Sequence, residues 1–427
     1  MPDTMPTADA AADAAPNTAL PGPGALDGLR VLDLSRVLAG PWCAQNLADL
    51  GADVVKVESP DGGDDTRKWG PPFVTEPETG RRDAAYYFAT NRNKRSIAVD
   101  FRQPEGLDLV RDLARQADVV IENFKLGGLR KYGLDVESIR EINPNVIYCS
   151  ITGFGQTGPY AARPGYDFLL QGMGGLMSFT GLPDGVPGAG PMKVGVAVCD
   201  LFTAMYATTA ILAAVVHREK TGEGQHIDCA LFDTQIAVLA NQASNWLNGG
   251  TVPQRMGNNH PNVVPYRVYP VADGHIIIAC GNDRQFRALM GALGAPELAE
   301  DARFDSNEAR VTNRDAIDAI IEHLLKDTPR DAALQRIEAA GVPCGPINDV
   351  ADVFADPHVQ ARGAMVEQTD DTGLTTRSVA FPARLERTPA SYRRAPPRLG
   401  QNGAEVLSDW AGYDAERVAA LRRDGVI

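Results

Sequence analysis

The stretch from Pro191 to Val216, PMKVGVAVCDLFTAMYATTAILAAVV, holds the residue best placed for chemistry. A strand-like apolar run ends at Cys199, Asp200 follows, and an almost uncharged helical segment begins directly after it. This pattern predicts Asp200 as the N-cap of a buried helix, at the positive end of its dipole. Apolar neighbours would strip water from the carboxylate while backbone N–H groups keep it ionised. Those are the conditions a carboxylate nucleophile needs. The plain alternative is that Asp200 only caps a core helix.

Three other groups of residues carry chemical potential. Arg81, Arg82, Arg92, Lys94, Arg95 and Arg102 lie against only Asp83 and Asp100 in the local sequence, a positive cluster suited to an anionic ligand such as a phosphorylated cofactor. Asp118–Asn123 (DVVIEN) ends a strand on a polar pair, where open α/β sheets bind ligands. Between Ile151 and Tyr166, Gly153, Gly155, Gly158, Pro159, Pro164 and Gly165 build a loop-rich wall. Trp69, Phe73, Tyr86, Tyr87 and Phe88 argue that the long connection 60–95 is ordered.

The elements that must position these residues alternate strand and helix. Strands are predicted at 29–34, 53–57, 96–99, 118–122 and 146–151, with helices at 41–50, 105–116 and 136–142. Gly51 is placed to end the first helix. This order means a parallel sheet covered on both faces, in a large Rossmann-like domain. The first strand–helix turn, SRVLAGPWC, lacks G-x-G-x-x-G, and no P-loop occurs in the chain, so neither a dinucleotide nor a nucleoside triphosphate is the expected ligand. A smaller α+β domain follows, with a helix at 232–247, strands at 263–270 and 275–280 joined by Asp273-Gly274, and helices at 284–293, 314–326 and 330–340. Helices at 404–410 and 415–423 close the chain. The expected division is a disordered tail over 1–24, a large domain over 25–218, a small domain over 227–330 and a return to the large domain over 350–427, with linkers at 219–226 and 331–349.

The 427-residue chain is too long for one compact core. A net charge of −14 argues against nucleic-acid or membrane-surface partners. No uninterrupted apolar run reaches membrane-spanning length, and the N-terminal residues lack a secretory or organellar layout, so a cytoplasmic protein is expected. The six cysteines are scattered like reduced thiols, and neither they nor the six histidines show metal-ligand spacing; no metal is expected.

The motifs LDGLRVLDLSRVLAGPWC, LGADVVKVE, GDDTRKWGPPF, NRNKRSIAVDF, ADVVIENF, SITGFGQTGP, Gly165-Tyr166-Asp167 and VGVAVCD, in this order, resemble the family III coenzyme A transferases, the CaiB/BaiF group that includes formyl-CoA transferase and 2-methylacyl-CoA racemase. GDDTRKWGPPF, VIYCSITGFGQTGP and GVPCGPIND look most like the succinate–hydroxymethylglutarate CoA-transferase branch. The resemblance implies the family fold and an interlocked homodimer. It implies CoA as a substrate carrier with no permanently bound cofactor, and acyl-CoA and carboxylic acids, often dicarboxylic with succinyl-CoA as donor, as the partners. Asp200 would be the nucleophile, passing through a mixed anhydride and an aspartyl-CoA thioester. Gly257, Asn258, Asn259 and His260 would form the substrate and oxyanion loop. CoA would contact Val37, Leu38, Ser59, Trp69, Val99, Arg102, Asn123, Phe124, Lys125, Lys131, Arg163 and Tyr166. Ser59 stands where formyl-CoA transferase has an adenine-stacking arginine, which leaves Arg67 or Arg92 as substitutes. Asp167 and Glu58 are expected to brace the site or the dimer. The racemase-like alternative, a CoA-ester epimerase, needs a histidine where this chain has Tyr166, a phenol that stays neutral near pH 7.

Overall fold

The computed structural model describes residues 24–427, so the expected N-terminal tail falls, but for Gly24, outside the described residues. The chain packs into two units. One holds the described residues up to Ser150 together with Ala207–Ile227 and Val366–Ile427; the other holds Ile151–Tyr206 and Asp228–Met365.

In the first unit β1 (Arg30–Asp33), α1 (Ala39–Asp49) and β2 (Asp53–Glu58) form the opening βαβ turn. Gly51, at φ +117, follows the end of α1, as its C′ position requires. The connection after β2 is ordered: it folds a small hairpin from β3 (Phe73–Thr75) and β4 (Arg82–Ala84), and then α2 (Ala85–Phe88). Next come β5 (Lys94–Ala98), α3 (Pro104–Gln116), β6 (Val119–Glu122), α4 (Val136–Ile142) and β7 (Ile147–Thr152). The strands are buried along nearly their whole length because helices cover both faces, which is why they read as continuous apolar runs. With β8 (His226–Ala230) at its far edge, the six-stranded sheet runs β5-β2-β1-β6-β7-β8, and the ladders β5–β2, β2–β1, β1–β6 and β6–β7 are parallel. Strand order therefore reverses between β1 and β6, and loops leaving those two strands diverge to open a crevice. The core beneath it gathers Leu32, Val55, Ile97, Leu109, Leu113, Val120 and Tyr148.

The second unit begins with α5 (Asp167–Met173) and α6 (Leu176–Phe179). No strand forms before Asp200: the run from Pro191 is irregular, and α7 (Val198–Thr221) starts two residues ahead of it. By length and composition alone α7 is able to cross a membrane, although the sequence showed no uninterrupted apolar run. Of the polar residues that interrupt the run, Thr203 and Thr208 are buried, while Tyr206 and Thr209 are exposed. Thr203 Oγ1 donates to the Cys199 carbonyl at 2.6 Å, and Thr203, Thr208, Ala204, Ala207 and Ile211 are buried.

β8 (His226–Ala230) precedes α8 (Leu231–Ala237) and α9 (Ala240–Gly249). The single helix expected over 232–247 is thus two, broken at Val238–Leu239 with Ala240 at φ +47. The hairpin β9 (Tyr266–Val271) and β10 (Gly274–Ala279) turns at Asp273-Gly274 as predicted. Around it pack α10 (Asp283–Leu293), α11 (Asn307–Thr312), α12 (Arg314–Leu325), α13 (Arg330–Ala339) and β11 (Cys344–Pro346), over a core of Tyr269, Ile276, Phe286, Leu289, Ile317, Ile321 and Ile337. Two short helices, α14 (Val350–Ala355) and α15 (Pro357–Ala361), lead to β12 (Met365–Thr369) and β13 (Thr375–Val379). The chain ends with α16 (Gly403–Ala411) and α17 (Ala415–Arg423), which pack on the first unit's core through Val406, Leu407, Trp410 and Val418.

Candidate active site

The crevice of the first unit is a cavity of about 610 Å³ at the carboxyl ends of β1, β2, β5 and β6. Six predicted contacts meet there: Ser59, Val99, Arg102, Phe124, Lys125 and Lys131. Lys125 and Lys131 have no carboxylate within ion-pair range among the described residues, so they offer free positive charge to an anionic ligand. Arg102 is exposed and held by Asp100 at 2.7 Å. Asn123 stands at the rim, accepting the Arg36 N–H at 3.0 Å and donating to the Arg36 carbonyl at 2.6 Å. Leu38 is buried at the start of α1, and Trp69 does not line the cavity; it packs edge-on against Tyr86 at 5.7 Å.

Val37 has φ +75, a conformation costly for a β-branched residue. The structure holds it there through Asp64, whose two carboxylate oxygens accept the Val37 N–H at 3.1 and 3.2 Å. Asp64 is in turn paired with Lys56 at 3.0 Å, and Lys56 donates to the Ser35 carbonyl at 2.7 Å. Burial works to raise the Asp64 carboxyl, but Lys56 and the Thr66 N–H hold it below its ordinary value. Sequence reasoning missed Arg36, Lys56 and Asp64 as parts of this site. Their positions in or just after β1 and β2, the strands on one side of the order reversal, were the available signal.

The expected basic cluster does not form. Arg92 is buried against Asp49 at 2.6 Å, Lys94 against Asp33 at 2.9 Å, and Arg95 against Asp53 at 2.6 Å and Asp409 at 2.8 Å. These carboxylates are distant in sequence, so local charge counting could not find them. Nor is Arg67 or Arg92 available to stack on adenine. Arg67 binds Glu58 at 2.7 Å and Asp83 at 2.9 Å, and lies over the Tyr87 ring at 3.6 Å. Glu58 is therefore a brace, as expected.

In the second unit Asp200 sits half-buried in the first turn of α7, third in the helix and not at its N-cap. The capping role falls to Asp167: its Oδ1 accepts the Cys199 N–H at 2.8 Å, and its Oδ2 accepts from Gln171 at 2.7 Å. Gln171 also accepts the Val194 N–H at 2.8 Å, which ties down the irregular run before the helix. On the inner side, the Cys199 thiol donates to Gln235 Oε1 at 3.0 Å. Burial, with the carboxylates of Asp167 and Asp200 beside it, pushes that thiol far up, so it stays protonated. Asp200 thus stands on a turn fixed from both sides, at the end of the helix dipole that favours an anion.

Tyr166 directly precedes Asp167 and is 68% exposed. Its approach depends on Gly153 and Gly165, whose backbones come so close that a Cβ on Gly153 would lie 2.6 Å from Gly165 Cα. Arg163 lies over the Tyr160 ring at 4.6 Å. Gly257, Asn258, Asn259 and His260 line a separate cavity of about 350 Å³ in this unit.

The family model for CoA-transferase family III matches residues 26–403. The chain belongs to CoA-transferase family III. It is 55% identical over 90% of its length to the succinate–glutarate CoA-transferase of Agrobacterium fabrum, covering 95% of that protein. It is 42% identical over 94% of its length to the human succinyl-CoA:glutarate CoA-transferase, covering 90% of it. A crystal structure of a CaiB/BaiF family protein from Brucella suis superposes with a TM-score of 0.80 at 54% identity, over 91% of this chain and all of that one. The protein is a CoA-transferase, and its substrates as a family member are an acyl-CoA and a carboxylic acid.

Proposed function

We propose that this CoA-transferase moves CoA from succinyl-CoA to a second dicarboxylic acid, with Asp200 as the nucleophile. The observation that carries the mechanism is the Asp200 turn: a half-buried carboxylate in the first turn of a long apolar helix, fixed by Asp167 and Gln235 through Cys199. The choice of acids rests on the relatives, named for succinate or succinyl-CoA and glutarate at 55% and 42% identity.

The Asp200 carboxylate attacks the thioester carbonyl, the C–S bond breaks, and CoA leaves as thiolate from a mixed anhydride. The thiolate then attacks the aspartyl carbonyl and succinate departs, leaving an aspartyl-CoA thioester. The acceptor carboxylate attacks that thioester to form a new anhydride. The returning thiolate takes the new acyl group and restores the Asp200 carboxylate. No external oxidant, metal or base is consumed. Asp200 is effective because it is positioned and poorly hydrated, and the Asn258 N–H would stabilise the oxyanion at each carbonyl, the Gly257, Asn259 and His260 N–H groups being given to the Gly181, Met256 and Tyr266 carbonyls. The cavity of the first unit would hold CoA, with Lys125, Lys131 and Arg102 facing its phosphates.

The proposal extends to a cytoplasmic homodimer with no permanently bound cofactor. The exposed Phe202, Met205, Tyr206 and Val216 on α7, with Tyr166 just before α5 and Phe168 and Leu169 on it, are the apolar surface that a second copy would cover. Light scattering on the purified protein reads the subunit number directly.

The deciding test incubates protein with succinyl-CoA and a panel of acids and reads CoA esters by mass spectrometry. Glutaryl-CoA or a related dicarboxylyl-CoA is expected; transfer to monocarboxylates alone would refute the substrate reading. Asp200→Asn is expected to lower turnover by at least a thousandfold while CoA binding stays within a few fold, and hydroxylamine is expected to trap the acyl group on Asp200 of the wild type. Exchange of the α-proton with deuterated water in the absence of an acceptor acid would favour an epimerase instead.

A further inference from the structure

The 350 Å³ cavity of the second unit has a wall that the loop 257–260 does not account for, and its composition specifies a ligand. One side is apolar: Leu176 and Phe179 of α6, with Val238 and Leu239 at the break between α8 and α9. The other side is made of neutral hydrogen-bonding groups, with no Lys or Arg among its lining residues.

His260 is held in one tautomer. Its Nδ1 accepts the Asn262 N–H at 3.1 Å, so the ring proton sits on Nε2. Its own N–H donates to the Tyr266 carbonyl at 3.1 Å, and the ring packs on Tyr266 at 5.2 Å. The Asn259 amide presents a buried oxygen with no hydrogen-bond partner, and turning the amide puts its NH₂ at the same place. Across the cavity α9 begins at Ala240, whose left-handed φ of +47 turns the chain sharply at the cavity wall; Asn241 and Gln242 follow in the first turn and line the cavity too. These groups are donors without charge, set around an apolar chamber.

The chamber and the Asp200 turn are linked through α8. Gln235, which accepts the Cys199 thiol, lies on α8 one helical turn (about 5 Å) before Val238. Gly174, packed against the Gln235 side chain, lies two residues before Leu176.

We infer that this chamber selects the acid: its apolar wall receives the methylene chain of a dicarboxylate, and His260, Gln242 and Asn259 hold the carboxylate at the far end. The volume is worth about a dozen waters at ~30 Å³ each, which suits a five-carbon diacid with a few waters. The inference rests on the proposed dicarboxylate transfer and goes beyond it by naming what reads the second carboxylate. A carboxylate bound by neutral donors gains a charge-assisted bond from each, and a monocarboxylate of equal length leaves them unpaired.

The test is internal competition. Glutarate and pentanoate, equal in chain length, compete in one tube for the same enzyme-bound CoA supplied by succinyl-CoA, so the ratio of product esters depends only on the acceptor step. The wild type is expected to favour glutaryl-CoA strongly. His260→Ala and Gln242→Leu are each expected to reduce that preference at least tenfold, with His260→Gln restoring part of it. Leu176→Trp, which fills the apolar side, is expected to shift selection among diacids toward shorter chains. A strong wild-type preference left unchanged by all of these variants would overturn the chamber and leave dicarboxylate transfer standing. A wild type that makes no glutaryl-CoA or other dicarboxylyl ester would overturn both.

Discussion

Replacing Glu122 by Gln is expected to stabilise the protein above neutral pH and to leave it unchanged in mild acid. Glu122 ends β6, and its carboxylate accepts the Phe124 N–H at 2.8 Å, so it fixes the start of the segment 124–128 that lines the crevice of the first unit. It also bonds Ser150, whose hydroxyl meets His226 Nε2 at 3.0 Å. Burial nevertheless outweighs these bonds and pushes the carboxyl up to about 7 from its ordinary 4.5. The sign follows from proton binding. Between pH 4.5 and 7 the folded protein keeps a proton that the unfolded chain releases, so this stability is complete below 4.5 and is lost as pH rises through 7. The gap is worth roughly 3 kcal/mol at 1.36 kcal/mol per pH unit. The glutamine amide still accepts from Phe124 and donates to Ser150, without titrating. Urea midpoints measured from pH 4.5 to 8.5 for both proteins give the test, since midpoints avoid assuming one transition for a chain of two units. The wild type's midpoint is expected to fall relative to the variant's across pH 5–7, and the gap to stay constant above 8. CoA affinity is expected to follow if the crevice holds the phosphates as proposed, because an ionised Glu122 places negative charge beside it. Parallel pH curves for the two proteins would refute the reasoning.

Asp167→Ala removes the acceptor for the Cys199 N–H and for Gln171, and is expected to lower kcat ten- to a hundredfold with little change in KM for the acyl-CoA; Asp167→Asn, which keeps an acceptor, should recover part of the loss. Lys131→Ala and Lys125→Ala should each raise KM for the acyl-CoA several fold at low salt and progressively less as ionic strength rises, because both charges are exposed. Gly174→Ala places a methyl 2.3 Å from Gln235 Cγ and 2.8 Å from the Leu170 carbonyl; with Gln235 fully buried there is no room to yield, and a cost of about 1–3 kcal/mol should appear as a lower thermal midpoint.

Much of the first unit was legible because its signals are local. Buried parallel strands read as short apolar runs, and the predicted edges of β1, β2, β6 and β7 differ from the structure by a residue or two at most. The Asp273-Gly274 hairpin was legible for the same reason: the turn chemistry and the flanking strands are adjacent in sequence. The partners of buried charges were not. Arg92 meets Asp49 across 43 positions, and Arg95 meets Asp409 across 314. Nothing in a local window reports such pairs, so a strip of arginines read as free positive charge is instead structural. The lysines that do line the crevice without a carboxylate partner among the described residues, Lys125 and Lys131, come from a plainer segment that no charge count singled out; they entered only through family resemblance.

The misreading of the Asp200 segment has a different cause, and it bears on how the residue works. Val194–Val198 has the composition of a strand, but a strand needs a neighbour to pair with its backbone, and this run has side-chain acceptors in that place: Gln171 takes the Val194 N–H and Asp167 takes the Cys199 N–H. The cap of α7 is thereby supplied by Asp167, a residue outside the helix, whereas at α17 the N-cap Asp414 accepts the Arg417 N–H of its own helix at 2.8 Å. Removing the Asp167 carboxylate takes away the acceptor of the Cys199 N–H and with it the anchor of the turn that carries Asp200, while the crevice lined by Lys125 and Lys131 is untouched, which is why Asp167→Ala should cost turnover more than it costs substrate binding.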